Sequence, residues 1–128
     1  MYSQAVHANL SGTPQSTSAT HALIAGLTGT VFLGRRSRIY ASMPLSSSGQ
    51  AGGSAIIGAF AIEINGVQGT EIQRYIATVD QGAIAVTDLS AVLDKGEYLV
   101  RGLFRRVSGT LTLQVDTGHL IAYGVAAL

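Results

Sequence analysis

The chain has 128 residues, 47% of them apolar and only 12% charged, with eight basic side chains, seven acidic ones, three histidines and no cysteine. That length suits one domain with a core of its own, and the missing cysteines exclude disulfides and thiolate metal sites. A net charge of +1 excludes a globally basic nucleic-acid binder, and no apolar run reaches the roughly 18 residues that a membrane-spanning helix needs.

Residues 1–34 contain no charged side chain, and Arg35 is the first. Within them Ser11–Thr20 is small, polar and interrupted by Pro14, as a linker would be. A solvated tail normally carries charge, yet this one offers Tyr2, Val6, His7, Leu10, Leu23 and Ile24. Residues 1–34 are therefore expected to form a docking arm that includes the first strand and binds a neighbouring protein, with residues 35–128 as the body. Met1–His7 lacks the basic start and apolar core of a signal peptide, so the chain is expected to stay in the cytoplasm or to be assembled there into something larger.

From Gly26 onward the pattern is that of strands. Leu27–Leu33 is one, and Arg38–Met43 is a second that Pro44 is expected to close. Ser46–Gly53 is Ser/Gly-rich and predicts a loop. Ala55–Ile64 precedes Asn65-Gly66, a pair that tolerates the positive φ of a type I′ hairpin turn. Glu71–Val79 and Ala83–Thr87 follow, separated by Asp80-Gln81-Gly82; Thr87–Gly96 holds one candidate helical turn. Three final strands are predicted at Gly96–Val107, Leu111–Val115 and His119–Leu128. Tyr98, Val100, Gly102 and Phe104 share one face, and Leu111, Leu113 and Val115 share another, which is the period of half-buried antiparallel strands. About eight strands with regular turn signals point to an all-β, antiparallel jelly-roll sandwich with an extended N-terminal arm.

The sequence carries none of the familiar catalytic motifs. The chain has no Gly-x-Ser-x-Gly elbow, phosphate loop or dinucleotide fingerprint. His7, His21 and His119 form no His-x-His or His-Glu-x-x-His pair, so no metal site within one subunit and no cofactor are expected. In a trimer a single axial histidine would still appear three times. Asp80, Asp88, Asp94 and Asp116 sit at predicted turns, where Asp bonds nearby backbone donors. The polar feature that stands out is Arg35-Arg36-x-Arg38, whose forked guanidinium groups suit salt bridges to a neighbour.

Leu93-Asp94-Lys95-Gly96-Glu97-Tyr98-Leu99-Val100 and Tyr123-Gly124-Val125-Ala126-Ala127-Leu128 are short motifs in roughly the last quarter of the chain. With them the chain resembles the tumour necrosis factor-like jelly-roll superfamily, whose fold also occurs in bacteriophage fibres, spikes and capsid knobs. The resemblance implies a homotrimer whose axis is lined by the last strand, here Tyr123, Val125 and Leu128, together with Tyr98 and Phe104. An average soluble domain is about 25% charged; the shortage here fits a surface covered by other subunits. The resulting expectation is a non-enzymatic bacteriophage decoration or cement protein of the virion. It would bind the major capsid or another virion protein through its arm, without nucleic acid or membrane. The alternative is a receptor-binding spike or tail-fibre tip that recognises a host glycan or protein through loops such as Ser46–Ser54.

Overall fold

A computed structural model describes residues 3–50, 55–77 and 82–126. They form ten strands: β1 Val6–Asn9, β2 Gln15–Ser16, β3 Ala22–Leu33, β4 Ser37–Gln50, β5 Ala55–Ile64, β6 Val67–Gln68, β7 Ile72–Ala77, β8 Gly82–Leu89, β9 Gly96–Gly109 and β10 Thr112–Ala126. One sheet runs β1-β10-β4-β8, with β2 also paired to β10; the other runs β3-β9-β5, with β6 and β7 both paired to β5. The antiparallel pairs β1·β10, β3·β9, β4·β8 and β5·β7 are nested one inside the next. The chain is thus a single long ribbon, doubled back near residues 65–71 and rolled into two layers. That is the jelly roll expected from the strand pattern.

Apolar alternation explains the layers. Val100, Gly102 and Phe104 of β9 and Leu111, Leu113 and Val115 around the start of β10 are buried, and they meet Phe60, Ile62, Ile39, Met43, Leu27 and Ile24 between the sheets. Asn65 and Gly66 take φ values of 53° and 78°, the left-handed pair that the β5–β6 hairpin requires.

Several local expectations are corrected. Pro44 does not close β4: pairing to β10 lapses between Ser42↔Ile121 and Leu45↔Gly118, while the ladder to β8 continues through Pro44↔Ala85. The proline's missing donor is accommodated on one side only. Ser46–Gln50, expected as loop, continues β4, with Ser47 and Ser48 buried. The rest of that loop, Ala51–Gly53, the Thr78–Val79 end of the predicted Glu71–Val79 strand, and Asp80 and Gln81 of the turn after it lie outside the described residues. Thr87–Gly96 holds no helical turn; Leu93 instead exchanges backbone bonds with Ser37. The last two predicted strands are one, β10, bent by a bulge between Val115 and Thr117.

The N-terminal segment lies on its own body. β1 pairs with β10 from Val6↔Ala122 to Asn9↔His119, and Gln4 exchanges backbone bonds with Phe32. β3 is an integral strand of the second sheet. No boundary at residue 34 divides an arm from the body: Val6 and Leu10 are half-buried against the shared core, and Ile24 is part of it at 1% exposure. Ile24 is therefore unavailable to a partner. His7 and Leu23 remain exposed, and Tyr2 lies outside the described residues.

Candidate functional site

The outer faces of the two sheets differ in charge. On the β3-β9-β5 sheet, Arg101 Nε donates to Glu63 Oε1 at 2.8 Å, and its Nη2 reaches the same oxygen. Beside them Arg105 grips Glu71 with two parallel bonds, Nε to Oε1 at 2.7 Å and Nη2 to Oε2 at 2.9 Å. His21 Nε2 lies 2.7 Å from Glu71 Oε1; since a carboxylate only accepts, that nitrogen carries the proton. Arg105 Nη1 also donates to Ala19 O, and Arg106 N to Ser18 O, so this cluster ties the segment before β3 to β9.

The fork of Arg105 is the main reason the Glu71 carboxyl is held at about 2, well below its ordinary 4.5; burial opposes the shift, and Gln73 and His21 add to it. A carboxyl whose folded value is depressed stabilises the fold above its unfolded value, and that contribution disappears as the pH falls through the folded value. Glu71→Gln is thus expected to lower stability at neutral pH by about 1–2 kcal/mol, a modest figure because the pair is partly solvated. Urea unfolding of both proteins should show the gap closing between pH 4.5 and pH 2. A gap that persists at pH 2 would assign the loss to packing rather than charge.

The outer face of β1-β10-β4-β8 is different. Its register places His7, Ile121, Ser42 and Thr87 in one row and Tyr123, Tyr40 and Leu89 in the next, with Val125 opposite Arg38. Leu89 is 55% exposed, Tyr123 45%, Val125 39% and Ile121 37%. Tyr40 and Tyr123 stack obliquely with ring centroids 5.5 Å apart. Between Arg38 at one end and Asp116 at the bulge, the outward positions of the described residues carry no formal charge. Exposed apolar side chains gathered in this way make a candidate interaction surface.

Of the five residues expected at a trimer axis, Tyr123 and Val125 lie on this face. Tyr98 is half-buried against the core, and its hydroxyl donates to Asp94 O at 2.7 Å. Phe104 is corrected: at 2% exposure it is a core residue with no surface to offer a partner. Leu128 lies outside the described residues. Ile121 is not legible in the sequence, because Leu120 and Ala122 are apolar as well and alternation in the last strand does not say which set faces out; Leu89 stands in the stretch expected to hold a helical turn.

The arginine cluster is dispersed. Arg35, Arg36 and Arg38 are exposed; Arg36 Nε lies 3.6 Å from Asp94 Oδ1 in a solvated pair, and Arg38 Nη1 donates to Ser90 O at 3.0 Å. At the end of the sandwich, a cavity of about 180 Å³ is lined by Ile64, Asn65, Gln68, Asp88, Ser90 and Leu93 among others. Among the described residues no three His, Asp or Glu side chains converge as a metal cage would require.

The chain matches no family model and no curated protein. Solved structures do resemble it. In the infectious bursal disease virus Gt strain structure, the alignment has a TM-score of 0.56 at 7% identity, covering 95% of this chain and 33% of that one. The crystal structure of the same virus's VP2 subviral particle gives 0.54 at 8% identity, covering 95% of this chain and 33% of that one. The chain therefore spans about a third of the length of these neighbours, and at such identity the likeness establishes the jelly-roll fold alone. A xylanase CBM36-1 domain from a Trinervitermes trinervoides hindgut metagenome aligns at 0.45 and 9% identity, over 98% of this chain and all of that one; at that score it adds nothing to the argument.

Proposed function

We propose that the chain is a virion structural protein that works as a homotrimer, its copies meeting through the outer face of β1-β10-β4-β8. The observation that carries this reading is that Tyr40, Leu89, Ile121, Tyr123 and Val125 lie together with only Arg38 as a charged neighbour, whereas the exposed Leu23, Leu99 and Tyr75 of the other sheet share their face with the Arg101–Glu63 and Arg105–Glu71 pairs. The tumour necrosis factor-like motifs support threefold packing at Tyr123 and Val125, and the jelly-roll fold suits a capsid component. A bacteriophage setting and a decoration or cement role on the major capsid protein follow from the same resemblance. Because Val6, Leu10 and Ile24 are engaged within the chain and Ser16 is buried, what is left of the N-terminal segment to touch a shell is His7, Leu23 and the exposed side chains of Ser11–Thr20, a stretch whose backbone is pinned to β9 and β10. Repetition in a trimer would multiply weak contacts of that kind.

Light scattering tests the assembly. The wild type is expected at three times the 13.2 kDa chain mass, and Tyr123→Glu at the monomer mass with an unchanged circular dichroism spectrum. A desolvated carboxylate at the contact costs several kcal/mol, enough to shift the association constant by more than about a hundredfold. A wild type that stays monomeric at its highest soluble concentration would overturn the trimer.

The cavity beside Asp88 and Asn65 favours a second reading, a receptor-binding tip that takes a host glycan at the end of the sandwich. Asp88→Ala would then abolish adsorption while leaving particles intact. The loop first assigned that role contributes β4 residues instead, and its remainder lies outside the described residues.

A further inference from the structure

We propose that His7 and His119 form a binding site for a borderline divalent metal ion such as Zn2+, Ni2+ or Cu2+ on the outer face of β1 and β10. The two are far apart in sequence, and the antiparallel register brings them together: His7 lies opposite Ile121 and Asn9 opposite His119, so the histidines are diagonal neighbours on one face. Their ring centroids are 5.6 Å apart, with planes inclined by 55°. Two imidazoles bound to one tetrahedral zinc at about 2.1 Å per nitrogen have centroids about 5 Å apart. The observed separation is therefore close to that of a ligating pair, and turning of the two exposed rings would bring their free nitrogens to one ion.

Asn9 supplies an independent argument. His119 Nδ1 lies 3.1 Å from Asn9 Oδ1, and an amide oxygen only accepts. Nδ1 therefore carries the hydrogen, which leaves the Nε2 lone pair free for a metal. A hydrogen-bonded partner that fixes tautomer and orientation in this way is the usual second element of a histidine metal site. His7 and His119 are both exposed, so an ion reaches them without rearrangement. Beyond His119 the β4–β10 pairing lapses at Pro44, which is paired to Ala85, and Ile121, Ser42 and Thr87 continue the row of His7. No arginine or lysine on these rows repels a cation. No carboxylate favours Ca2+ or Mg2+ either, and an imidazole-only pair selects zinc, nickel or copper. Water would fill the remaining coordination positions. The third histidine, His21, is held by Glu71 beside the other sheet and takes no part. The site is complete within one chain, but it lies at the β1 edge of the face assigned to the trimer contact, so association would compete with metal entry there.

The full chain, titrated with NiCl2 or ZnCl2 in a calorimeter, is expected to bind the metal. His7→Ala and His119→Ala should each weaken binding by at least about tenfold, and Asn9→Ala by about tenfold through loss of the orienting bond. Without any variant, substoichiometric Cu2+ should broaden the imidazole NMR signals of His7 and His119 before those of His21. The proposal fails if the wild type binds no metal, if the double variant His7→Ala/His119→Ala binds as tightly as the wild type, or if His21 broadens first.

Discussion

Phe104→Ala is expected to lower the free energy of unfolding by about 3–5 kcal/mol, the cost of removing a large aromatic side chain from a filled core. Phe104 is 2% exposed, sits directly opposite Phe60 across the β5·β9 pairing, and belongs to the cluster that includes Met43, Leu113 and Val100. No surface rearrangement can refill that space, because both sheets contribute to its walls and their backbones are fixed by ladders. Denaturant unfolding measures the loss directly. The same variant also separates two roles: a core residue lowers the midpoint at every protein concentration, whereas an axis residue lowers it only where association contributes. A loss below 1 kcal/mol would return Phe104 to the surface.

Gly26→Ala is expected to cost about 3 kcal/mol or more, far beyond an ordinary surface substitution, because strain and steric collision act together. Gly26 has φ +89°, and a Cβ there would lie 2.4 Å from Asn9 O and 2.5 Å from Ser11 N. Both are backbone atoms at the end of β1, so no side-chain rotation relieves the contact. The chain after β1 must move, and with it the bonds from Leu10 N to Gly118 O and from Ser11 N to Ala25 O. Lower stability in urea should therefore be accompanied by faster proteolytic cleavage within residues 3–20. Wild-type stability and cleavage in the variant would mean that the first strand is not seated against β3.

How much of this was legible follows from the kind of information each element needs. Ala55–Ile64, bounded by Asn65-Gly66, was found with its true limits because a local rule, positive φ at two successive residues, marks its end. The alternation of Val100 to Phe104 and Leu111 to Val115 gave the core faces correctly. Pro44 misled because its effect depends on which neighbour its nitrogen faces, a property of the sheet and not of the residue. The N-terminal segment misled for a related reason: low charge signals burial without saying whether the covering surface is another molecule or the same chain. The ion pairs Arg101–Glu63 and Arg105–Glu71 join residues more than thirty positions apart, and so does the His7–His119 pair. Only the rolled ribbon brings such partners together, so the arginines nearest each other in sequence drew attention that belonged elsewhere.

The bulge between Val115 and Thr117 has a consequence for how this chain can vary. Before it, odd-numbered residues point inward; after it, Gly118, Leu120 and Ala122 do. Which side chains reach the solvent along the last strand is therefore decided by a count of residues as well as by their chemistry. Losing Asp116 alone would remove the bulge and leave plain alternation, so His119, Ile121, Tyr123 and Val125 would still face outward; losing one residue from the regular stretch after Gly118 would instead exchange the two sides of the strand beyond it. Across related sequences, loss of the residue at position 116 should be tolerated, whereas single insertions or deletions within residues 118–123 should be all but absent.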